Sequence, residues 1–283
     1  MTLELTLLVL LSAILHAGWN TLLKKGGDRF LSLVSMAVVH MVPCLLMIPF
    51  VPLPDAATAQ WLAMSLVFNV AYQIFLSWAY KHGDLSQVYP IARGSGPLWV
   101  ALTAPLFYGT VMPWYAQGAV ALICTGLFTL GIRRGMLKPE NLRPLLLALA
   151  TGMLIASYLM TDAAGVRAAP VVWTFIAWQG FTLGSTMMVV AICVHKRGWQ
   201  KYVRQNWRRD VVRGLMGFVS YGIILYVLRS GPVAEVVALR ETSVIFAAVL
   251  GWLFLGEGFG KRRIAGAIFV ASGVLLLKLG ALL

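Results

Sequence analysis

The chain has 283 residues, 60% of them hydrophobic and only 12% charged, with a formal net charge of +13 and a mean hydropathy of +0.82. This balance excludes an ordinary soluble domain, in which about 25% of residues are charged. It also excludes a transmembrane β-barrel, whose strands alternate apolar and polar over about ten residues, because the apolar runs here are unbroken for about twice that length.

Crossing ~30 Å of hydrocarbon takes about 20 helical residues, and the apolar runs predict ten spans. The first, 3–24, places Ser12, His16, Trp19 and Asn20 on one helical face. Its lysines follow the apolar run, so it reads as a retained helix and not a cleaved signal. The second, 31–53, is poor in strongly polar groups. The third, 60–81, carries Ser65, Asn69, Tyr72 and Gln73 at helical spacing, with Tyr80 beyond. In the fourth, 85–108, Ser86, Tyr89 and Arg93 share a stripe, followed by Gly94, Gly96 and Pro97. Proline removes a backbone donor and glycine permits close approach, so residues 94–97 are expected to kink or break the helix. The fifth span, 112–132, is again apolar. A basic connection from Arg133 to Arg143 then separates an N-terminal unit, 1–135, from a C-terminal one, 143–283. The sixth span, 143–162, has Thr151, Tyr158 and Asp162, and the seventh is 171–194. The connection HKRGWQKYVRQNWRRD is expected to lie along the inner interface, with Trp199, Tyr202 and Trp207 at headgroup depth. The eighth span, 211–228, offers Ser220 and Tyr221. The ninth, 232–255, has Arg240, Glu241 and Ser243, and the tenth, 262–281, is nearly featureless.

Arg93 and Arg240 stand out. Each lies roughly eight residues into its span, ~12 Å deep and beyond easy snorkelling, where an arginine costs about 2.5–3.5 kcal/mol. A shift of 147 residues superposes them and also aligns Ala101 with Ala248, Leu106 with Leu253, Phe107 with Phe254, Gly109 with Gly256, Gly126 with Gly273 and Leu130 with Leu277. With five spans in each half, the second copy enters the membrane from the opposite side. The expected fold is therefore an all-α membrane protein of ten transmembrane helices, arranged as two inverted five-helix repeats around a central cavity, with the solute site near the midplane. Polar faces turn away from lipid, so spans 1, 3, 4, 6, 8 and 9 are expected to line that cavity. Spans 5 and 10 are expected at the periphery, their glycines Gly126 and Gly273 suiting close helix contact. Structural alternatives stand beside these assignments: interhelical hydrogen bonding for Asn69 and Gln73, packing for His16, and a helix-locking ion pair between an arginine and Glu241.

Eighteen basic residues fall in the odd-numbered connections, and three in the even connections and C-terminal segment. By the positive-inside rule the odd connections face the cytoplasm and both termini face the periplasm, across an inner membrane. Topology thus accounts for the positive charge, and no nucleic-acid partner is expected. Cys44, Cys124 and Cys193 lie far apart within apolar spans, with neither disulfide nor metal spacing. No phosphate-binding GxxxxGK[ST] loop is present. The ten acidic residues are dispersed without metal-ligand spacing, which weighs against an intramembrane enzyme. No cofactor, metal site or catalytic residue is expected.

The HAGWN segment of the first span continuing to LLKKGGD, the fourth-span end LTAPLFYG, and LGWLFLGEGFGKRRIAGAIFVASGVLLL with its Gly256–Glu257 turn resemble the drug/metabolite transporter (DMT) superfamily, EamA type, over essentially the whole chain. The resemblance implies a basket-shaped bundle with a cavity lined by helices 1, 3, 4, 6, 8 and 9, alternating access, and often export. The chain lacks the acidic residue deep in helix 1 that related small multidrug pumps use; Glu4 is near the membrane edge and His16 occupies the middle. The expectation is a secondary transporter of a small polar metabolite, anionic or zwitterionic, such as an amino acid, organic acid or aminophosphonate. Arg93, Arg240, Glu241, His16, Trp19, Asn20, Gln73, Tyr89 and Tyr158 are the expected substrate-binding residues, because arginine forks pair with oxyanions and aromatic rings pack the remainder. Its partners would be that solute, membrane lipid and a coupling proton or other ion. An exporter of cationic drugs or lipid-like solutes is the alternative.

Overall fold

A computed structural model describes residues 1–24, 29–83, 85–109, 111–132, 136, 138–255 and 260–280. Every regular element among them is helical: α1 (Leu3–Lys24), α2 (Arg29–Met47) with a 3-10 turn (Ile48–Phe50), α3 (Ala56–His82), α4 (Leu85–Tyr108), α5 (Trp114–Gly131), α6 (Pro139–Ala168), α7 (Val172–Leu228), α8 (Val233–Arg240), α9 (Ser243–Leu255) and α10 (Lys261–Leu279). Among the described residues, seven stretches are long and apolar enough to cross a membrane. Lys25, Asp28, Asp84, Arg133, Arg134 and the Gly256–Glu257 turn lie outside the described residues.

The ten α-helices are not the ten predicted spans. The seventh and eighth spans, with the basic connection between them, form the single 57-residue helix α7. Straight, it would extend ~85 Å, nearly three times a bilayer core. Its contacts show that it doubles back. A Cβ on Gly184 would meet Met41 and the Ala37 carbonyl, and one on Gly214 would meet Val39 and the Met36 carbonyl, all on the same stretch of α2. Two points about 45 Å apart on a straight helix thus touch one neighbour. Two of the candidate spans, Val172–Cys193 and Gly198–Leu228, are its arms.

Conversely, the ninth span divides into α8 and α9. The amides of Glu241 and Thr242 reach back only three residues, to the Ala238 and Leu239 carbonyls (both 3.1 Å), and those of Val244 and Ile245 do the same, to Glu241 (3.0 Å) and Thr242 (2.9 Å). The Thr242 hydroxyl also donates to the Leu239 carbonyl at 2.8 Å. Side-chain competition of this kind, in a Glu-Thr-Ser run, tightens one turn to 3-10 geometry. Residues 94–97, expected to kink or break the helix, do not break it: α4 continues through Pro90, Pro97 and Pro105. Gly94 and Gly96 serve instead as contact points, against Leu127 and Phe128 of α5 and against Ile155 of α6.

The chain forms two compact units. One comprises Met1, Ala71–Met160 and Gly231–Leu283, with α4, α5 and α8–α10 and the adjoining parts of α3 and α6. Its core includes Val120, Ile123, Leu127, Ala238 and Val270, with a second cluster around Val88, Ile91, Ala92 and Ala148. Here α5 meets α10 closely at Gly126 and Gly273, the contact expected of those glycines. The other unit comprises Thr2–Val70 and Thr161–Ser230, with α1, α2 and α7. In it, Ser12 of α1 donates to the Ser220 carbonyl of α7 at 2.7 Å, and Ser220 returns a bond to the Ser12 carbonyl at 2.9 Å.

Candidate functional site

Five of the nine expected residues come together in the first unit. Tyr89 and Arg93 lie one turn apart on α4, and Glu241 sits at the tightened joint between α8 and α9. Arg93 addresses Glu241 with two nitrogens: Nε donates to Oε2 at 3.1 Å, and Nη2 lies 2.7 Å from Oε1. The pair is nearly sealed, at 6% and 3% side-chain exposure. Arg240, the last residue of α8, is equally buried and adds its field to that of Arg93 at Glu241. Tyr158 of α6 is buried and Tyr89 half-buried, and both feel the arginine charges. The ion pair entertained as a structural alternative is therefore present, and a second guanidinium stands next to it.

Tyr72 of α3 joins this cluster, within the field of both guanidiniums and 5.5 Å from the Tyr158 ring, tilted by 53°. Its sequence signal is its place on the polar stripe of the third span, with Ser65, Asn69 and Gln73. Gln73, half-buried, follows it on α3 in the same unit. The cluster thus contains two guanidiniums, one carboxylate and three phenols. Arginine forks fit carboxylate, phosphate or phosphonate groups, and phenol rings offer both hydroxyl donors and aromatic faces.

His16, Trp19 and Asn20 belong to the other unit, all on α1. The His16 imidazole meets the Trp19 ring edge-on at 4.8 Å. Asn20 donates to the His16 carbonyl at 2.8 Å, and Asn69 likewise donates to Ser65 on its own helix, at 3.1 Å. Both amides thus hydrogen-bond within their own helix.

The second unit also holds buried charge chemistry. Asp162, fully buried, accepts a hydrogen bond from the Tyr221 hydroxyl. Arg213, at the start of the eighth predicted span, is fully buried and paired with Asp210. Its Nη1 donates to the Ser32 hydroxyl at 2.9 Å, and that hydroxyl lies 2.5 Å from the Tyr202 hydroxyl. Tyr202 is therefore an internal anchor to α2 and not a headgroup-level ring, whereas Trp207 is exposed, with Arg208 over its face. The second span is less inert than its composition suggested: His40 meets Phe218 edge-on at 5.4 Å and lines the Gly180 contact. The available signal was spacing: Tyr202, Asp210 and Arg213 continue the buried stripe of a helix through the supposed loop.

Comparison with known proteins is consistent with these features. Residues 142–279 match the EamA-like transporter family. A transporter from Sinorhizobium sp, named as uncharacterized and located in a cobO 3' region, is 33% identical over 95 residues, covering 32% of this chain and 67% of the relative. A chloroplastic WAT1-related protein of Arabidopsis thaliana is 22% identical over 262 residues; the match covers 86% of this chain but only 62% of the relative, under two thirds of its length. A solved crystal structure of another protein shares the fold with a TM-score of 0.75 at 15% identity, over 99% of this chain and 98% of that one. The chain belongs to the EamA-like transporter family of the drug/metabolite transporter superfamily, as an integral membrane protein.

Proposed function

We propose that this protein is a secondary transporter that moves a small polar solute bearing an oxyanion across the inner membrane by alternating access, and that Arg93 and Arg240 hold that oxyanion. The observation that carries this is the buried cluster itself: two guanidiniums, at 6% and 5% exposure, beside one carboxylate and three tyrosines. Burial of that much charge is costly in an apolar helical protein unless the groups are paired or used. Tyr89, Tyr158 and Gln73 would pack the solute. His16, Trp19 and Asn20 are proposed to line its path, and a proton or other ion to drive it.

Alternating access in such folds relies on an inverted repeat, which we propose here for residues 1–135 and 143–283, with both termini periplasmic. One feature supports it: the α5–α10 contact is reciprocal. Gly126 meets Gly266 and Val270, while Gly273 meets Ala119 and Ile123. Under the 147-residue shift each of these contacts is the image of the other, as a twofold axis requires.

The test is a thermal-shift screen of the purified protein against metabolite anions, zwitterions and cations. A ligand at 100 times its dissociation constant adds about 2.7 kcal/mol of stability. Stabilisation by oxyanions that is lost in Arg93→Ala, with the variant still folded, is the expected result. Stabilisation by organic cations alone would overturn the proposal in favour of a cationic-drug exporter.

A further inference from the structure

We infer that Glu241 is the group that recognises a positive charge on the solute, so that the solute carries an ammonium a few bonds from its oxyanion and binds by exchanging ion pairs with Arg93. The inference rests on the assignment of Arg93 as an oxyanion site. In the structure, Glu241 already occupies the Arg93 fork with both oxygens, at 2.7 and 3.1 Å. An oxyanion that takes this fork must displace the carboxylate, which is 3% exposed. A buried carboxylate stripped of its partner is strongly disfavoured.

Arg240 cannot take the place of Arg93. It precedes Glu241 directly in the chain, and successive residues of a helical turn diverge by about 100°. Its field reaches Glu241, whereas the side-chain hydrogen bond to that carboxylate comes from Arg93. A solute with its own ammonium solves the problem. The oxyanion takes the guanidinium, the ammonium takes the carboxylate, and every buried charge has an opposite neighbour before and after. The swapped partners sit side by side, so the two charged groups of the solute must also be close together.

Two further features favour this exchange. Glu241 lies where the hydrogen-bond ladder changes to three-residue steps, so its carboxyl can shift without breaking a regular helical turn. Tyr72 and Tyr158, with rings 5.5 Å apart, offer aromatic faces that attract an ammonium but give nothing comparable to a second anion.

The test uses the full chain in lipid nanodiscs and isothermal titration with matched solutes that differ only by an ammonium: glycine and acetate, β-alanine and propionate, 2-aminoethylphosphonate and ethylphosphonate. The amine-bearing member of at least one pair should bind about tenfold more tightly or better, the scale of one charged hydrogen-bonded contact. Glu241→Gln should reduce or reverse that preference, because the neutral amide neither holds an ammonium nor competes strongly for Arg93. Glu241→Asp, which keeps the charge, should retain the preference with weaker binding, and it carries the test if the glutamine variant does not fold. Equal binding within each pair, or a preference unchanged in Glu241→Gln, overturns the role of Glu241 while leaving the oxyanion site standing. Failure of every solute to bind, or binding indifferent to Arg93→Gln, overturns the oxyanion site and the exchange with it.

Discussion

Arg213 gives the sharpest contrast between what composition suggests and what packing dictates. As one of the basic residues flanking a span, it would be a topological marker whose loss changes little. In the structure it is fully buried, and Asp210 beside it is 2% exposed. Its Nη2 lies 2.5 Å from the Asp210 carboxylate, Nη1 donates to Ser32 at 2.9 Å, and Nε donates to the Arg209 carbonyl at 3.2 Å. Arg213→Ala removes three contacts and leaves a buried carboxylate without its cation, a change that costs about 3–5 kcal/mol. Asp210→Ala should cost somewhat less, since Ser32 and the Arg209 carbonyl still receive the guanidinium. The double variant Asp210→Ala with Arg213→Ala removes both charges, so the single effects should fail to add by about 2–3 kcal/mol. Arg208→Ala, at an exposed position two residues before Asp210, should stay within ~0.5 kcal/mol of the parent. Denaturant unfolding in mixed micelles measures all four. The reasoning fails if Arg213→Ala is indistinguishable from Arg208→Ala, or if the double-mutant cycle closes without coupling.

Other consequences are equally accessible. Ala at Gly126 or Gly273 should destabilise by similar amounts, about 1–3 kcal/mol, since each Cβ would come within 2.8 Å of a facing backbone oxygen; Gly222→Ala, with nothing within 4 Å, should be neutral or slightly stabilising by the same assay. Arg93→Lys should impair uptake into proteoliposomes although it preserves charge, because an ammonium loses the two-nitrogen fork; normal uptake would argue against an oxyanion held by that fork. Cysteines placed at residues 55 or 167 should react with an impermeant reagent in intact cells, and one at residue 200 should not; the reverse pattern inverts the proposed orientation. Hydrogen bonds from Thr58 hold the Asp55 carboxyl below its ordinary range, so its support of the α3 start is complete above pH ~4 and is lost as acid takes the pH through the lower folded value; a carboxyl titration midpoint at or above ~3.9 would contradict this.

How far the sequence could be read depended on which physical effect controlled each element. Apolar runs fixed by bilayer thickness were legible, and helix starts and ends fell within a few residues of α1, α4 and α10. The continuity of α7 was not, because Lys, Arg and Gln are good helix formers and a hydropathy count reads their charge as a loop. Nor was the position of the helix break. Gly94, Gly96 and Pro97 carry the strongest local signals, yet their surroundings hold the helix together, while the tightened turn arises at Glu241 and Thr242 from hydroxyl competition with the backbone. The Arg93–Glu241 pair was foreseeable from the rarity of deep charges. The fate of Arg213 was not, since its burial depends on where α7 folds back on α2.

The asymmetry at the site follows from packing at one residue. The 147-residue shift that carries Arg93 onto Arg240 carries Gly94 onto Glu241. A side chain at position 94 would begin 2.9 Å from the Leu127 Cβ and 3.4 Å from the Phe128 ring, so α5 leaves no room for a glutamate there. At position 241 the chain has stepped into a 3-10 turn, and a glutamate is accommodated facing Arg93. One packing constraint thus places one carboxylate, among the described residues, beside the two arginines that the 147-residue shift aligns. Were both positions acidic, each guanidinium could close on its own partner and the cluster would be a pair of static ion pairs. With one carboxylate among the described residues of the cluster, the proposed oxyanion would have an arginine to compete for and a carboxylate to release, which is the condition the proposed exchange of partners requires.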